Sequence, residues 1–180
     1  NTTVYHSFDR DRHWCDTEIQ DDDRLFVGID FNVGACFCQV VVRRSDEFHV
    51  VAEHYPKDTP EVVRFLRETY PAQLEAENLV AIPDASSRQR STTNASESDL
   101  SLLRKGGLAI KAQSANPAIE DRINSVQVLL LANRLKVHPR CKFLIKSLEQ
   151  QSYSKTGKPE KGVGGPQDIS GPPDALGYAI

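Results

Sequence analysis

Methionine is absent from the 180 residues, tryptophan occurs once, and aromatic residues make up only 7% of the chain. The four cysteines, Cys15, Cys36, Cys38 and Cys141, include no Cys-x-x-Cys pair. They are too few and too scattered for the disulfide framework of a secreted domain, so a reducing cytosol is expected. Long apolar runs are also missing: the longest, Val128 to Ala132, stops at Asn133, far short of the roughly 20 residues that span a membrane. No membrane residence is expected. The first residues lack the basic-then-apolar pattern of a signal peptide. Positive charge is not in excess, because 22 basic residues face 25 acidic ones for a formal net charge of −3. No global field attracts nucleic acid, and any DNA or RNA contact must be local. There is no Gly-x-x-x-x-Gly-Lys-Ser/Thr loop, which excludes an ATP-driven motor within this stretch, and no internal repeat.

What is present suffices for one compact domain with one core. The missing initiator methionine, and a terminal helix from Asp174 to Ile180 that breaks off in mid-course, suggest a piece of a longer protein that continues in both directions. Residues 1–24 carry seven acids against three arginines and read as a linker arm too polar for core. Two β-branched and aromatic runs follow, Leu25 to Phe31 and Ala35 to Arg43. Asn32-Val33-Gly34 between them marks a hairpin, and Phe48 to Tyr55 gives a third strand. Thr59-Pro60-Glu61 opens a helix, with Thr59 as its capping hydroxyl, that stops before Pro71. A fourth strand runs from Asn78 to Ile82, and the polar stretch from Ala85 to Ser98 reads as a mobile loop. Ser96-x-x-Asp99 resembles a capping box and opens a short helix that Gly106-Gly107 closes. Leu108 to Lys111 is a fifth strand. Asn116-Pro117 caps a long helix reaching about Leu135, and Cys141 to Gln150 is helical. Residues 151–171, rich in lysine and glycine, form a basic loop or hairpin.

Three acids stand at positions where chemistry is expected. Asp30 lies within the apolar strand Val27-Gly28-Ile29-Asp30-Phe31. A lone carboxylate buried there costs several kcal/mol unless donors, a proton or a cation compensate. Asp84 ends the fourth strand, and Asp174 follows Pro172-Pro173 in the first turn of the terminal helix. Taken singly, Asp84 reads equally as a turn residue and Asp174 as a dipole-favoured helix acid. Together they have the look of an oxygen-ligand site for divalent metal. Arg88 and Arg90 in the polar loop, and Lys155, Lys158 and Lys161 in the late loop, are placed to straddle a DNA backbone, with a solvated surface as the plain alternative. Arg122, near the start of the long helix, is placed either for a phosphate or for a salt bridge. Cys36 and Cys38 share a strand face and read as packing, and the histidines show no nucleophile arrangement.

The order of elements and acids resembles the nuclease domain of a tailed-bacteriophage terminase large subunit. The resemblance is carried by Val4-Tyr5-His6-Ser7-Phe8-Asp9 with His13, by Gly28-Ile29-Asp30-Phe31-Asn32-Val33-Gly34, by Ile82-Pro83-Asp84-Ala85-Ser86, by Arg122-Ile123-Asn124-Ser125-Val126, and by Asp174-Ala175-Leu176-Gly177-Tyr178-Ala179. It implies a ribonuclease H-like α/β fold over residues 25–180, in which a central mixed sheet of five or more strands, three antiparallel and then parallel ones, is flanked by helices. Residues 1–24 would then link to an N-terminal ATPase motor. It implies that Asp30, Asp84 and Asp174 bind two divalent cations, Mg²⁺ or Mn²⁺, and that the protein cuts concatemeric double-stranded DNA with little sequence preference. The partners implied are the motor domain, the small terminase subunit and the portal or procapsid, in the cytoplasm of an infected bacterium. Gly171 and Gly177 stand where the family often has His and Arg, and Asp168 becomes a further candidate ligand. Two other readings remain at this stage. Gly-Ile-Asp-x-x-x-Gly also resembles the phosphate hairpin of actin-like and sugar-kinase ATPases, which needs a second hairpin and about twice the length. The other is a docking module with relic acids.

Overall fold

The structure is a computed structural model that describes residues 3–32, 35–85, 98–113, 115–162 and 168–180. Its elements in chain order are β1 (Leu25–Asn32), β2 (Ala35–Arg44), β3 (Glu47–His54), α1 (Thr59–Thr69), α2 (Pro71–Glu75), β4 (Leu79–Pro83), α3 (Asp99–Lys105), β5 (Ala109–Ile110), α4 (Ile119–Leu131), β6 (Leu135–Val137), α5 (Lys142–Gln150) and α6 (Gly171–Ala179). The strands form a six-stranded mixed sheet in the order β5-β4-β1-β2-β3-β6. β1, β2 and β3 are antiparallel, whereas β4 joins β1, β5 joins β4 and β6 joins β3 in parallel. The expected mixed sheet is therefore present, with one strand more than the five read from the sequence.

Side-chain alternation assigns β1 to two layers. Its odd positions, Leu25, Val27, Ile29 and Phe31, pack in one apolar core with Val62 and Leu66 of α1 and Leu103 of α3. The opposite face is covered by α4, α5 and α6 through Ile123, Val126, Leu144, Leu148 and Leu176, which share a second core with Val41 and Val50. Helices on both faces explain why the first eight residues of β2 are all buried. At Gly28, an even position of β1, α6 packs directly on the sheet: a Cβ there would stand 1.9 Å from the Ala175 carbonyl oxygen. Only glycine admits that approach.

Several boundaries differ from the sequence reading. The long helix ends at Leu131 because Asn133 turns to φ 58°, a left-handed stop that Asn tolerates. Leu135 and Val137 then alternate inward as a strand beside Phe48 and Val50. Pro71 does not merely follow a helix but starts the short α2, its missing amide harmless at a first turn. Asp58, not Thr59, caps α1 by accepting from the Glu61 amide, while the Thr59 hydroxyl turns inward and donates to Asp99 at 2.7 Å. Ser98 caps α3. Ser96, like the whole of the stretch 86–97, is outside the described residues. Asn116 caps nothing on α4; its Oδ1 accepts from the Ala85 amide at 2.6 Å. The late basic segment includes a tight hairpin bridged at Tyr153 and Pro159.

Residues 3–24 lie against the body. The Val4 amide donates to the Gln151 carbonyl, the Cys15 amide to that of Val137, and Val4, Tyr5, His13 and Cys15 are buried. His13 is fully enclosed: its Nδ1 accepts from the Asp9 amide and its Nε2 meets the Leu130 carbonyl at 2.8 Å. Charge composition alone does not show this, because most acids of the arm face solvent while Val4, Tyr5 and Cys15 turn inward, with Trp14 left half exposed. No described helix is long and apolar enough to cross a membrane.

Candidate active site

The parallel pairing of β1 and β4 runs from Leu25↔Leu79 to Ile29↔Pro83. The next residues, Asp30 and Asp84, therefore fall beside each other at the carboxyl ends of neighbouring strands, where open α/β sheets place their ligands. The Asp84 amide donates to the Ile29 carbonyl at 3.1 Å, and the Phe31 amide donates to Asp84 Oδ2 at 3.5 Å. Asp84 is 3% exposed. Asp30 lies two residues beyond Gly28 on the same face, toward α6. Asp174 sits in the first turn of α6, next to Ala175, the residue that contacts Gly28. One close packing contact thus fixes the helix-borne acid over the strand-borne pair.

Asp30, Asp84, Asp168 and Asp174 line one cavity of about 490 Å³, together with Arg122, Lys161, Asn32, Asn116, Ser170 and Tyr178. The three acids marked from sequence and the further candidate Asp168 thus share one space. Asn32 Nδ2 donates to Asp30 Oδ2 at 3.1 Å. Asp168 Oδ1 accepts from the Gly162 amide, the Ser170 amide and the Ser170 hydroxyl at 3.2, 2.9 and 2.8 Å, which fixes the loop entering α6. Burial raises the Asp174 carboxyl to about 6. Arg122 and Lys161 oppose the shift, and Asp168 and Asp84 reinforce it.

Of the two readings of Arg122, a phosphate contact or a salt bridge, the structure displays the salt bridge, with Asp174 as the acid. Arg122 is 9% exposed, donates to the Tyr178 hydroxyl at 3.2 Å and to Asp174 Oδ1 at 3.5 Å, and lies 4.9 Å from the centre of the Tyr178 ring. The helical spacing that aims it inward beside Ile123 and Val126 decides this. The two glycines that depart from the family pattern fit the same packing: a Cβ on Gly177 would stand 3.2 Å from Arg122 Cδ, and one on Gly171 would strike the Phe37 ring at 2.4 Å. Lys155, Lys158 and Lys161 are exposed, and of the three only Lys161 reaches the carboxylate cavity. Arg88 and Arg90 are outside the described residues. Asn32, Ser170 and Tyr178 were not singled out from sequence. Strand period from Asp30 and helical period from Asp174 point to Asn32 and Tyr178, whereas nothing local points to Ser170.

The donor chemistry fits hard divalent cations: four carboxylates face two cationic side chains, a formal excess of two negative charges, with no sulfur or imidazole in the lining. As the side chains stand, no group of three or more His, Cys, Asp or Glu among the described residues is gathered closely enough to hold an ion. The cysteines do not contribute: all four are buried and unpaired with one another, and burial pushes the Cys36 thiol up to about 12.

No protein-family model and no curated protein sequence matches the chain. Solved structures match its fold. The large terminase of one thermophilic bacteriophage superimposes with a TM-score of 0.76 at 16% identity, over 98% of this chain and 44% of that one. The nuclease domain of the P22 large terminase gives 0.73 at 14% identity, over 98% of this chain and 89% of that domain. The large terminase nuclease of a thermophilic phage, G20c, with bound cobalt gives 0.68 at 12% identity, over 99% and 96%. The chain therefore has the mixed α/β, ribonuclease H-like fold of large-terminase nuclease domains, and it spans less than half the length of the first of these three proteins.

Proposed function

We propose that this domain, which carries the fold of the large-terminase nucleases, is a divalent-metal-dependent endodeoxyribonuclease. One observation supports this above the others: acids from three separate parts of the chain, Asp30, Asp84 and the Asp168/Asp174 segment, line a single cavity in that fold. Asp30, Asp84 and Asp174, with Asp168 as a further donor, would hold two ions, Mg²⁺ or Mn²⁺. When bound, such ions would polarise the scissile phosphate and lower the pKa of an attacking water. The chain's own groups do the rest. The strand ends fix Asp30 and Asp84 in register, and Arg122 holds Asp174 toward the cavity. Lys161 meets the phosphate beside the acids, while Lys155 and Lys158 contact the backbone further along. Arg88 and Arg90 are the remaining candidates for that contact. Phosphate contacts carry no base information, which suits cutting with little sequence preference.

In the larger protein the natural task is cleavage of concatemeric double-stranded DNA during viral packaging, in the cytoplasm of an infected bacterium. The arm of residues 1–24 would lead from an ATPase motor, with small subunit and portal as partners. A plasmid-nicking assay with Mn²⁺ tests the catalytic part. Wild type should nick, and Asp30→Asn should lose at least about 100-fold in rate with an unchanged circular dichroism spectrum, since the amide keeps the shape but not the charge. Full nicking by metal-purified Asp30→Asn would overturn the assignment.

A further inference from the structure

Beside the carboxylate cavity lies a larger one of about 730 Å³, between the first turns of α4 and the Tyr153–Pro159 hairpin. The two share Ala118, Ile119, Lys161, Ser170 and Asp174 in their linings, so a strand bound at the acids has a continuous path into the second space. Its volume falls within the roughly 300–1,000 Å³ of small-ligand sites. Two of the five exposed large hydrophobic residues among the described ones, Ile119 at 45% and Tyr153 at 39% exposure, are in its wall. Ile123 and Pro159 add further apolar surface. Positive charge does not explain the cavity: Lys158 and Lys161 face Glu120, Glu160 and Asp174 there, a formal excess of one negative charge. An exposed aromatic ring and an aliphatic side chain in one roomy wall without excess positive charge suit the flat face of a nucleobase more than a phosphate, and the exposed Asn124 offers both a donor and an acceptor to its edge.

We propose that this cavity takes an unpaired base of the DNA strand held at the carboxylates, so that the domain prefers duplexes with an extruded or frayed nucleotide over perfect ones. The proposal rests on the nuclease reading for its substrate class. Stacking on an aromatic side chain supports a difference of about 5- to 100-fold in affinity.

The test is equilibrium binding of the intact chain, with Ca²⁺ in place of Mg²⁺ or Mn²⁺ so that the carboxylates are neutralised and cleavage is suppressed, to a perfect duplex and to the same duplex with a single bulged 2-aminopurine. Wild type should bind the bulged DNA at least about 5-fold more tightly and alter the 2-aminopurine emission. Tyr153→Ala should lower that affinity to the perfect-duplex value and leave perfect-duplex binding alone. The preference ratio should hold between about 50 and 200 mM salt, because only phosphate contacts weaken with salt and both DNAs share them. Absence of any difference between the two DNAs in wild type, including failure to bind either, would overturn the proposal. So would a preference that survives both Tyr153→Ala and Ile119→Ser. Loss of nicking is a separate readout, so the base site and the nuclease reading fail independently.

Discussion

Burial raises the Asp174 carboxyl to about 6 even though Arg122 and Lys161 stand beside it. The sign of the consequence follows from proton counting. Between about pH 4 and 6 the folded state holds a proton on Asp174 that the unfolded chain has released, so this group's contribution to stability falls as pH rises through that window. Above it the ionised carboxylate is a net cost; below it folded and unfolded forms are protonated alike and the cost vanishes. Asparagine mimics the protonated acid. In chelator, Asp174→Asn should therefore be more stable than wild type above pH 6, by about 1–2 kcal/mol after allowing for solvent screening. The difference should shrink to nothing near pH 4. Urea titrations of both proteins across that range check it, and a wild type more stable at pH 7.5 would contradict the buried-acid account.

Among the elements, α6 depends on β1 for its position. Gly28 lets the helix backbone approach to contact, and Asp174 rides on the turn that makes the contact. Gly28→Ala forces a methyl into the Ala175 carbonyl and against Ala179 Cβ at 2.9 Å. Overpacking of this kind costs about 1–3 kcal/mol, which for a chain of this size is roughly 2–12 °C in melting temperature. Since α6 must move away from β1, Asp174 leaves Asp30, and nicking should fall further than the loss of folded protein explains. Thermal melts paired with nicking rates per folded molecule test this. A normal rate would mean that α6 does not set the site.

For the whole molecule, four carboxylates around one cavity should couple stability to cations. Divalent metal that binds only the folded state adds RT ln(1 + [L]/Kd), about 2.7 kcal/mol at a hundredfold excess over Kd, or roughly 5–10 °C in melting temperature. Asp30→Asn relieves like-charge repulsion, so in chelator it should match or exceed wild type, and it should gain little from Mn²⁺. The wild-type gain should itself decline below about pH 6 as Asp174 takes up its proton. Melting curves of both proteins with chelator and with millimolar Mn²⁺ decide the matter. A wild type indifferent to Mn²⁺ would show that the carboxylates do not act together.

Periodicity and turn chemistry, both local, made much of the chain legible: the hairpin of β1 and β2, the β3 strand, α1, β4 and the placement of Asp84 and Asp174 at element ends. Local signals failed where a distant partner chose the conformation. Leu135 to Val137 is a strand because β3 offers an open edge, and Thr59 and Asn116 abandon their capping positions for Asp99 and the Ala85 amide. The polar arm is pinned because Val4 and Tyr5 join an apolar core built from distant residues and the His13 ring meets the Leu130 carbonyl. At the site, sequence marked the acids, since a carboxylate among apolar strand residues conflicts with its surroundings at short range. It did not show that they share a cavity. That was decided by the parallel register of β1 with β4 and by a single glycine contact beneath α6, both set by residues far apart in sequence. The inward turn of Arg122 onto Asp174 and Tyr178 has the same origin: charge told what the residue carries, and only packing told where it points.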